Sequence, residues 1–372
     1  MVSKKTDFGG KYKPVPIITG ASQSRSASFA NAQANQSPVQ IESFFLTRAS
    51  DYSIAQIDNQ TMLASKTDKM SFLEGSKVLI DGAITSITLS LASALFRSGT
   101  GSIGQISTIG AGVIVLSDPS SVVQFEVNMV LQANATDGGT PRAALGYVVS
   151  VNRSAGSFVV STSYGGAPGS PAAWAPSDFL LVQGDNNAKV KGLSAWLPNT
   201  APGSSDNFFG VNRSVDSTRL AGVRYNGSAQ PIEEALIDAS SLLAREGGKP
   251  DVCIMSYASY SALEKSLGAK VQYVDMKHDR AEIAFRGIQV NGANSMIKCF
   301  PDRSCPSQQA YLLTMKSWCL ESLGDAPQIL RYGDGLEMLR VYNADAGEVR
   351  IAYYANLSCN APGWNATVIL SS

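Results

Sequence analysis

Residues 231–268 read PIEEALIDASSLLAREGGKPDVCIMSYASYSALEKSLG. Pro231 suits a first helical turn, Glu233 and Glu234 follow near the positive end of the helix dipole, and Arg245 with Gly247–Gly248 closes the run. Ile232, Leu236, Ala239 and Leu243 fall on one face of that helix. Lys249–Pro250–Asp251 then leads into a short apolar run, Val252–Met255, which predicts a strand. Tyr257–Leu267 predicts a second helix that stops at Gly268. Helix, strand and helix within 38 residues make an α/β unit.

Toward the C-terminus, Ala281–Val290 and Asn294–Phe300 flank Asn291–Gly292, a pair suited to the two positive φ angles of a type I′ turn, so a tight hairpin is expected. Tyr311–Leu320 is expected to be one strand. Leu336–Asn343 and Glu348–Leu357 flank Ala344–Gly347 and predict a closing hairpin. In its second strand Val349, Ile351, Tyr353, Ala355 and Leu357 alternate with Glu348, Arg350 and Asn356, the pattern of a sheet with one wet face.

Toward the N-terminus, residues 71–97, SFLEGSKVLIDGAITSITLSLASALFR, form the longest periodic run. Leu73, Ile80, Ile84, Ile87, Leu91 and Leu95 share a helical face, with Ser71 and Glu74 as a capping box and Arg97 and Gly99 at the end. Such a helix is about 40 Å long. Its uncharged stretch, Gly82–Phe96, is shorter than the ~20 residues a membrane span needs, so a buried or interface helix is expected.

The glycines at 99, 101 and 104 spell G-x-G-x-x-G, but they follow a helix and precede a β-rich region. A dinucleotide site needs the opposite order, so they read as a glycine-rich exit from the helix.

Residues 107–200 read as β, with strands expected at Val113–Leu116, Val122–Leu131, Ala144–Val151, Ser157–Ser163 and Phe179–Val182. Residues 201–230 are irregular, with Phe208 and Phe209 as anchors. Residues 42–70 contain two strand-like stretches, Ser43–Thr47 and Ser53–Ile57, without a core pattern, and read as an extended loop or loose hairpin. Residues 1–41 show no period and carry a net charge of +4. They are either an unstructured tail or an arm that orders on a neighbour.

Composition narrows the function. At roughly 150 residues per domain, 372 residues suggest two or three domains. Thirty basic and thirty acidic residues cancel, which argues against a dedicated nucleic-acid binder. Charged residues are 16% of the chain against about 25% in an average soluble domain, a first sign of surface hidden in an assembly. The first residues are charged and then polar, so no secretory signal is expected.

Five irregularly spaced cysteines (253, 299, 305, 319, 359) make no disulfide framework, and a reducing cytoplasm is the expected compartment. Cys253, Cys299, Cys305 and the single histidine, His278, are the sole metal-type set, and their spacing fits no zinc site. His278 sits in the charged stretch MKHDR with no third group to orient it toward Cys305. Glu233–Glu234 is explained by the helix dipole. The chain has no P-loop, HExxH or GxSxG motif. No catalytic residue, cofactor site or metal site is expected, and the chain is read as no enzyme.

The second half resembles a known family. Residues 248–268, the segment FRGIQV, and residues 299–318 resemble the axial domain of tailed-bacteriophage major capsid proteins, and the closing hairpin resembles their returning peripheral strands. The first half agrees in order. The resemblance implies an α+β tailed-phage major capsid fold: N-terminal arm (1–41), extended loop (42–70), long spine helix of the peripheral domain (71–106), β-rich insertion (107–200), connection (201–230), axial α/β domain (231–330) and returning peripheral strands (331–372).

It also implies a structural protein whose copies tile hexamers and pentamers of an icosahedral shell around double-stranded DNA, held without sequence recognition. Portal, scaffold and decoration proteins are implied partners, a membrane is not, and the place is a virion assembled in the bacterial cytoplasm. The candidate assembly contacts are Lys4, Lys5, Arg48, Asp51, Lys66, Lys69, Lys277, Arg280, Asn291 and Gly292. Lys66 and Lys69 lie in the loop, but no motif of the branch that cross-links loop Lys to Asn is present. Met1 carries the expectation that the N-terminus is not shed by processing. An encapsulin-like compartment, or an α/β enzyme built on residues 231–320, is the alternative.

Overall fold

A computed structural model describes residues 2–60, 69–267, 288–331 and 338–371, with the backbone alone for 69–76. In chain order the strands are β1 (Ser3–Lys5), β2 (Lys13–Gly20), β3 (Gln40–Leu46) and β4 (Ala49–Asp58), followed by the long helix Lys69–Ala94. Then come β5 (Ser102–Gly110), β6 (Val113–Leu116), β7 (Val130–Asn134), β8 (Gly146–Asn152), β9 (Ser157–Ser161) and β10 (Phe179–Val182). The α/β part holds β11 (Val223–Gly227), the helix Ile232–Arg245, β12 (Val252–Met255), the helix Tyr257–Leu267, β13 (Ile288–Asn291), β14 (Met296–Pro301) and β15 (Gln309–Leu313). The chain ends with β16 (Trp318–Ser322), β17 (Gln328–Ile329), β18 (Met338–Arg340), β19 (Ala346–Cys359) and β20 (Ala366–Leu370).

Strand β19 is the hub of the first sheet. It pairs antiparallel with β4 over ten residues, with β16 and with the short β17 and β18, while β1 adds parallel to β16. The expected apolar side, Val349, Ile351, Tyr353, Ala355 and Leu357, is fully buried. The opposite side is only partly the wet face its polar residues predict: Arg350 keeps a half-exposed side chain, but Glu348 is 9% and Asn356 2% exposed. Asn356 is held from two directions, donating Nδ2–H to Thr47 O at 2.8 Å and accepting from Lys191 N at 3.1 Å. Polar residues can therefore fill a covered face when backbone partners satisfy them.

The long helix packs on this sheet through Ala83, Ile87, Leu91 and Ala94, with Ile80, Ile84 and Leu95 half-buried beside them. It begins at Lys69, so Ser71 lies inside it and is no cap. Its 18-residue window Lys77–Ala94, with mean hydropathy 1.3, would be long and apolar enough to cross a membrane. Here it packs against β4 and β19 instead.

Strands β5 to β10 close a barrel in the order β10-β5-β6-β9-β8-β7. Its core stacks Phe125 on Phe158 at 4.5 Å between ring centres, among Ile114, Leu131, Val160 and Leu180. Four of its strands, β6, β8, β9 and β10, match the expected ones closely. Val122–Leu131 does not: Asp118 accepts from Ser120 N and starts a 3-10 turn, Pro119–Gln124, that carries Val122 and Phe125 under the barrel. β5 was hidden in the glycine-rich stretch, and the barrel cannot close without it.

The third sheet runs β11-β20-β15-β12-β14-β13. The helix Ile232–Arg245 covers it through Ile232, Ala235, Leu236, Ala239 and Leu243, as its spacing predicts. Three expectations change here. Tyr311–Leu320 is two strands in two sheets, divided where Asn365 Oδ1 accepts from Thr314 N and from Trp318 Nε1, both at 2.8 Å. The terminal β20, at the end of the expected returning strands 331–372, joins this sheet by pairing with β11 and β15. The turn after β13 is the four residues 292–295, with Asn291 opposite Met296, instead of a two-residue type I′ turn. Ser240 Oγ accepts from Ala293 N, Asn294 donates to Gly248 O and Ser295 donates to Pro250 O, so neighbouring segments shape that loop.

The N-terminal reading also shifts. Residues 3–8 dock on the chain's own sheet, with Phe8 fully buried. β2 and β3 form a separate two-stranded ribbon spanning residues 13–46. β3 and β4, the two strand-like stretches of the expected loop 42–70, lie in different sheets, and residues 61–68 of that loop lie outside the described residues. Pro14 and Pro16 broke the apparent period of β2, although Val15 and Ile17 between and after them are buried. Two apart, these prolines share one edge of the strand, where a donor is not required.

Candidate functional site

Groups that could do chemistry are few and subdued. All five cysteines are free and buried. Cys253 lies opposite Cys299 across β12 and β14, and that contact together with burial pushes its thiol well above the ordinary value. Burial drives Cys359 up to about 12. Thiols held in the neutral form are poor nucleophiles and poor metal ligands. Among the described residues no three His, Cys, Asp or Glu side chains gather as a metal site; His278 lies outside those residues.

Gly99 and Gly101 both adopt positive φ, and a Cβ on Gly101 would stand 2.4 Å from Asp185 O. The glycines therefore let the barrel's entry and exit strands cross closely. They lead into β5, and no helix follows to receive a phosphate.

The surface is more informative. The ribbon β2–β3 is clamped at its base and bare at its tip. At the base Phe44 meets Trp196 edge-on at 5.0 Å and Phe208 at 6.1 Å, and Phe45 N donates to Phe209 O at 2.9 Å. Arg213 lies 4.0 Å over the Phe208 ring and binds both oxygens of Asp206, at 2.9 and 3.0 Å. Burial pushes the Asp206 carboxyl up, but the Arg213 hydrogen bonds and charge outweigh it and hold the group below its usual value. Burial, then the Arg213 charge, lowers the Lys191 ammonium stacked 4.5 Å from Phe209. Toward the tip, Ile18 is 52%, Ile41 64% and Phe29 83% exposed, and the short helix Phe29–Ala34 buries no residue at all.

The expected contact residues fall in separate places. Lys4 and Lys5 are exposed on β1. Arg48 is exposed but bound to its own chain, donating to Phe8 O at 2.9 Å and lying 5.4 Å over the Phe8 ring. Asp51 is engaged internally: its Oδ2 accepts from Lys189 at 2.6 Å, Ser90 at 2.6 Å and Tyr353 at 3.3 Å. Asn291 is exposed beside Gly292 at the loop after β13. Lys66, Lys277 and Arg280 lie outside the described residues, and Lys69 is described by backbone alone. The apolar ribbon residues escaped the sequence reading. Their signal was the alternation of buried Val15 and Ile17 with exposed neighbours, masked by proline.

No protein-family model matches the chain, and no curated protein matches it by sequence. Solved structures do. A chain of the cyanophage A-1(L) capsid asymmetric unit superposes with a TM-score of 0.55 at 14% identity, covering 99% of this chain and 89% of that one. A chain of a native GTA particle capsid gives 0.48 at 8% identity over 100% and 89%. The SrpI encapsulin of Synechococcus elongatus PCC 7942 gives 0.45 at 8% identity over 99% and 85%. The first of these carries the conclusion about fold. The chain has the α+β tailed-phage major capsid fold along nearly its whole length, as its sequence resemblance implied.

Proposed function

We propose that the chain is the major capsid protein of a tailed-phage-type particle and that its work is structural, not catalytic. The observation that carries this is the fold shared with a cyanophage capsid chain over 99% of the residues. The ribbon with an uncovered apolar tip supports it, because rings of identical subunits close through elements that reach onto a neighbour. In this reading copies form hexamers and pentamers of an icosahedral shell, which encloses double-stranded DNA. Zero net charge suits DNA that is confined instead of read base by base. A portal, a scaffold and decoration proteins are the further partners, and assembly takes place in the host cytoplasm.

Electron microscopy and size-exclusion of the purified chain test the reading. Shells or rings of megadalton size are expected, and a stable monomer or dimer overturns it. Shells isolated from the native source with protein cargo and no DNA would replace the capsid by an encapsulin-like compartment.

A further inference from the structure

A cleft of about 460 Å³ opens between the long helix, the barrel and the loop after β14. Its charged lining is Asp51, Asp185, Glu126, Lys189, Arg97 and Arg303. The carboxylates already have partners. Lys189 lies 2.6 Å from Asp51 and 3.0 Å from Asp185, and Arg153 lies 2.8 Å from Glu126. The two guanidiniums meet neutral carbonyls only: Arg97 donates to Ile103 O at 3.1 Å and Arg303 to Val123 O at 2.8 Å. Among the described residues neither has a carboxylate within ion-pair distance.

Two atoms sharpen the imbalance. Arg97 Nε and Ser93 Oγ are both buried without a hydrogen-bond partner, four residues apart where the long helix ends, and both residues line the cleft. Burial pulls the Arg97 guanidinium below its usual pKa, and Asp118 is the largest opposing charge. The Asp118 oxygens are themselves occupied by Ser120 and Ser121. A buried cation left without a counter-charge is destabilising. A group with two anionic oxygens would match the guanidinium donors and bring the compensating charge.

We propose that this cleft is an oxyanion site, in which a carboxylate or phosphate group seats between Arg97 and Arg303 with the Ser93 hydroxyl as a further donor. The anion is either a free ion or an acidic side chain of a second copy. The site is built within one chain, so it is testable whether or not the chain forms shells.

Dispersed full-length subunits are melted in rising inorganic phosphate against sodium chloride of equal ionic strength. A saturable rise in Tm of about 2 °C or more is expected at ten times the dissociation constant. Arg97→Gln should abolish the rise. Because removing a half-buried guanidinium whose Nε is sealed from water can unsettle the fold, exposed Arg303→Gln is the second variant; it should melt normally in chloride and bind phosphate about tenfold more weakly. No phosphate-specific shift in the wild-type chain, or an undiminished shift in both variants, overturns the site. Where particles form, loss of the phosphate response on assembly identifies the occupant as a carboxylate of a second copy, and its persistence identifies a free ion.

Discussion

The barrel β5–β10 and the ribbon β2–β3 are both antiparallel β structure, yet they solve the edge problem in opposite ways. The barrel closes on itself, so its ladders satisfy one another and twelve buried residues form a core of its own. The ribbon has two strands, and apart from Phe45 N–H on Phe209 O and Arg219 on Thr19 O its contact with the body is the packing of β2 and β3 side chains such as Val15, Ile17, Phe44 and Leu46. A two-stranded ribbon is marginal alone in water. The contrast separates strands whose ladder closes on itself from a pair whose distal half leaves apolar residues exposed.

The largest effect should come from removing that half. Replacing residues 22–38 with a short Gly-Ser link should abolish particle formation seen by electron microscopy, while the calorimetric melting of the dispersed subunit stays within a few degrees. Subunits that still form normal shells would break the contrast. Next is a pair of core truncations. Phe44→Ala at the ribbon base and Phe158→Ala in the barrel should each cost about 3–5 kcal/mol in urea unfolding. They should differ in kind: Phe158→Ala should lower a transition confined to the barrel, and Phe44→Ala should lower that of the body. One shared transition for both would show that the barrel is no separate unit.

Gly101→Ala should cost about 1–3 kcal/mol, because an alanine at positive φ would also meet the Asp185 carbonyl. Hydrogen exchange should then rise across the barrel's root and not in the helix Ile232–Arg245. The smallest effect is acid loosening of the ribbon base. Asp206 is held below its unfolded pKa, so its contribution is present above about pH 4 and is lost as pH falls through the depressed folded value. Melting temperature should drop over that window, and Asp206→Asn should remove that part of the slope. An unchanged slope would mean that the Arg213 clamp does not brace the ribbon.

The elements most legible in the sequence were those whose signals are local. The helix Ile232–Arg245, β12 and the helix Tyr257–Leu267 sit at their expected residues because proline, glycine and apolar spacing act within a few positions. The long helix was legible from its period, though its start was not. β5 was not legible, since Ile103, Ile106 and Ile109 recur every third residue instead of alternating, and the segment becomes a strand by joining β6 and β10. Of the candidate contact residues, Lys66, Lys277 and Arg280 lie outside the described residues, and burial alone does not assign a contact role to the others. Lys4, Lys5 and Asn291 are exposed as expected, Arg48 and Asp51 bind Phe8 and Lys189 of their own chain, and the exposed apolar groups of the ribbon are ones that composition alone assigns to a core.

By itself the sequence determined the α/β unit, the long helix and the β character of residues 107–200. Each of these follows from spacing and composition read over short windows. The tertiary structure alone decided which strands share a sheet. The stretch Tyr311–Leu320 has no glycine or proline to mark a break, and Asn365, more than forty residues later, divides it between two sheets by accepting from Thr314 N–H and Trp318 Nε1–H. Strand partners and covered faces are set by contacts distant in the chain, and no local window contains them.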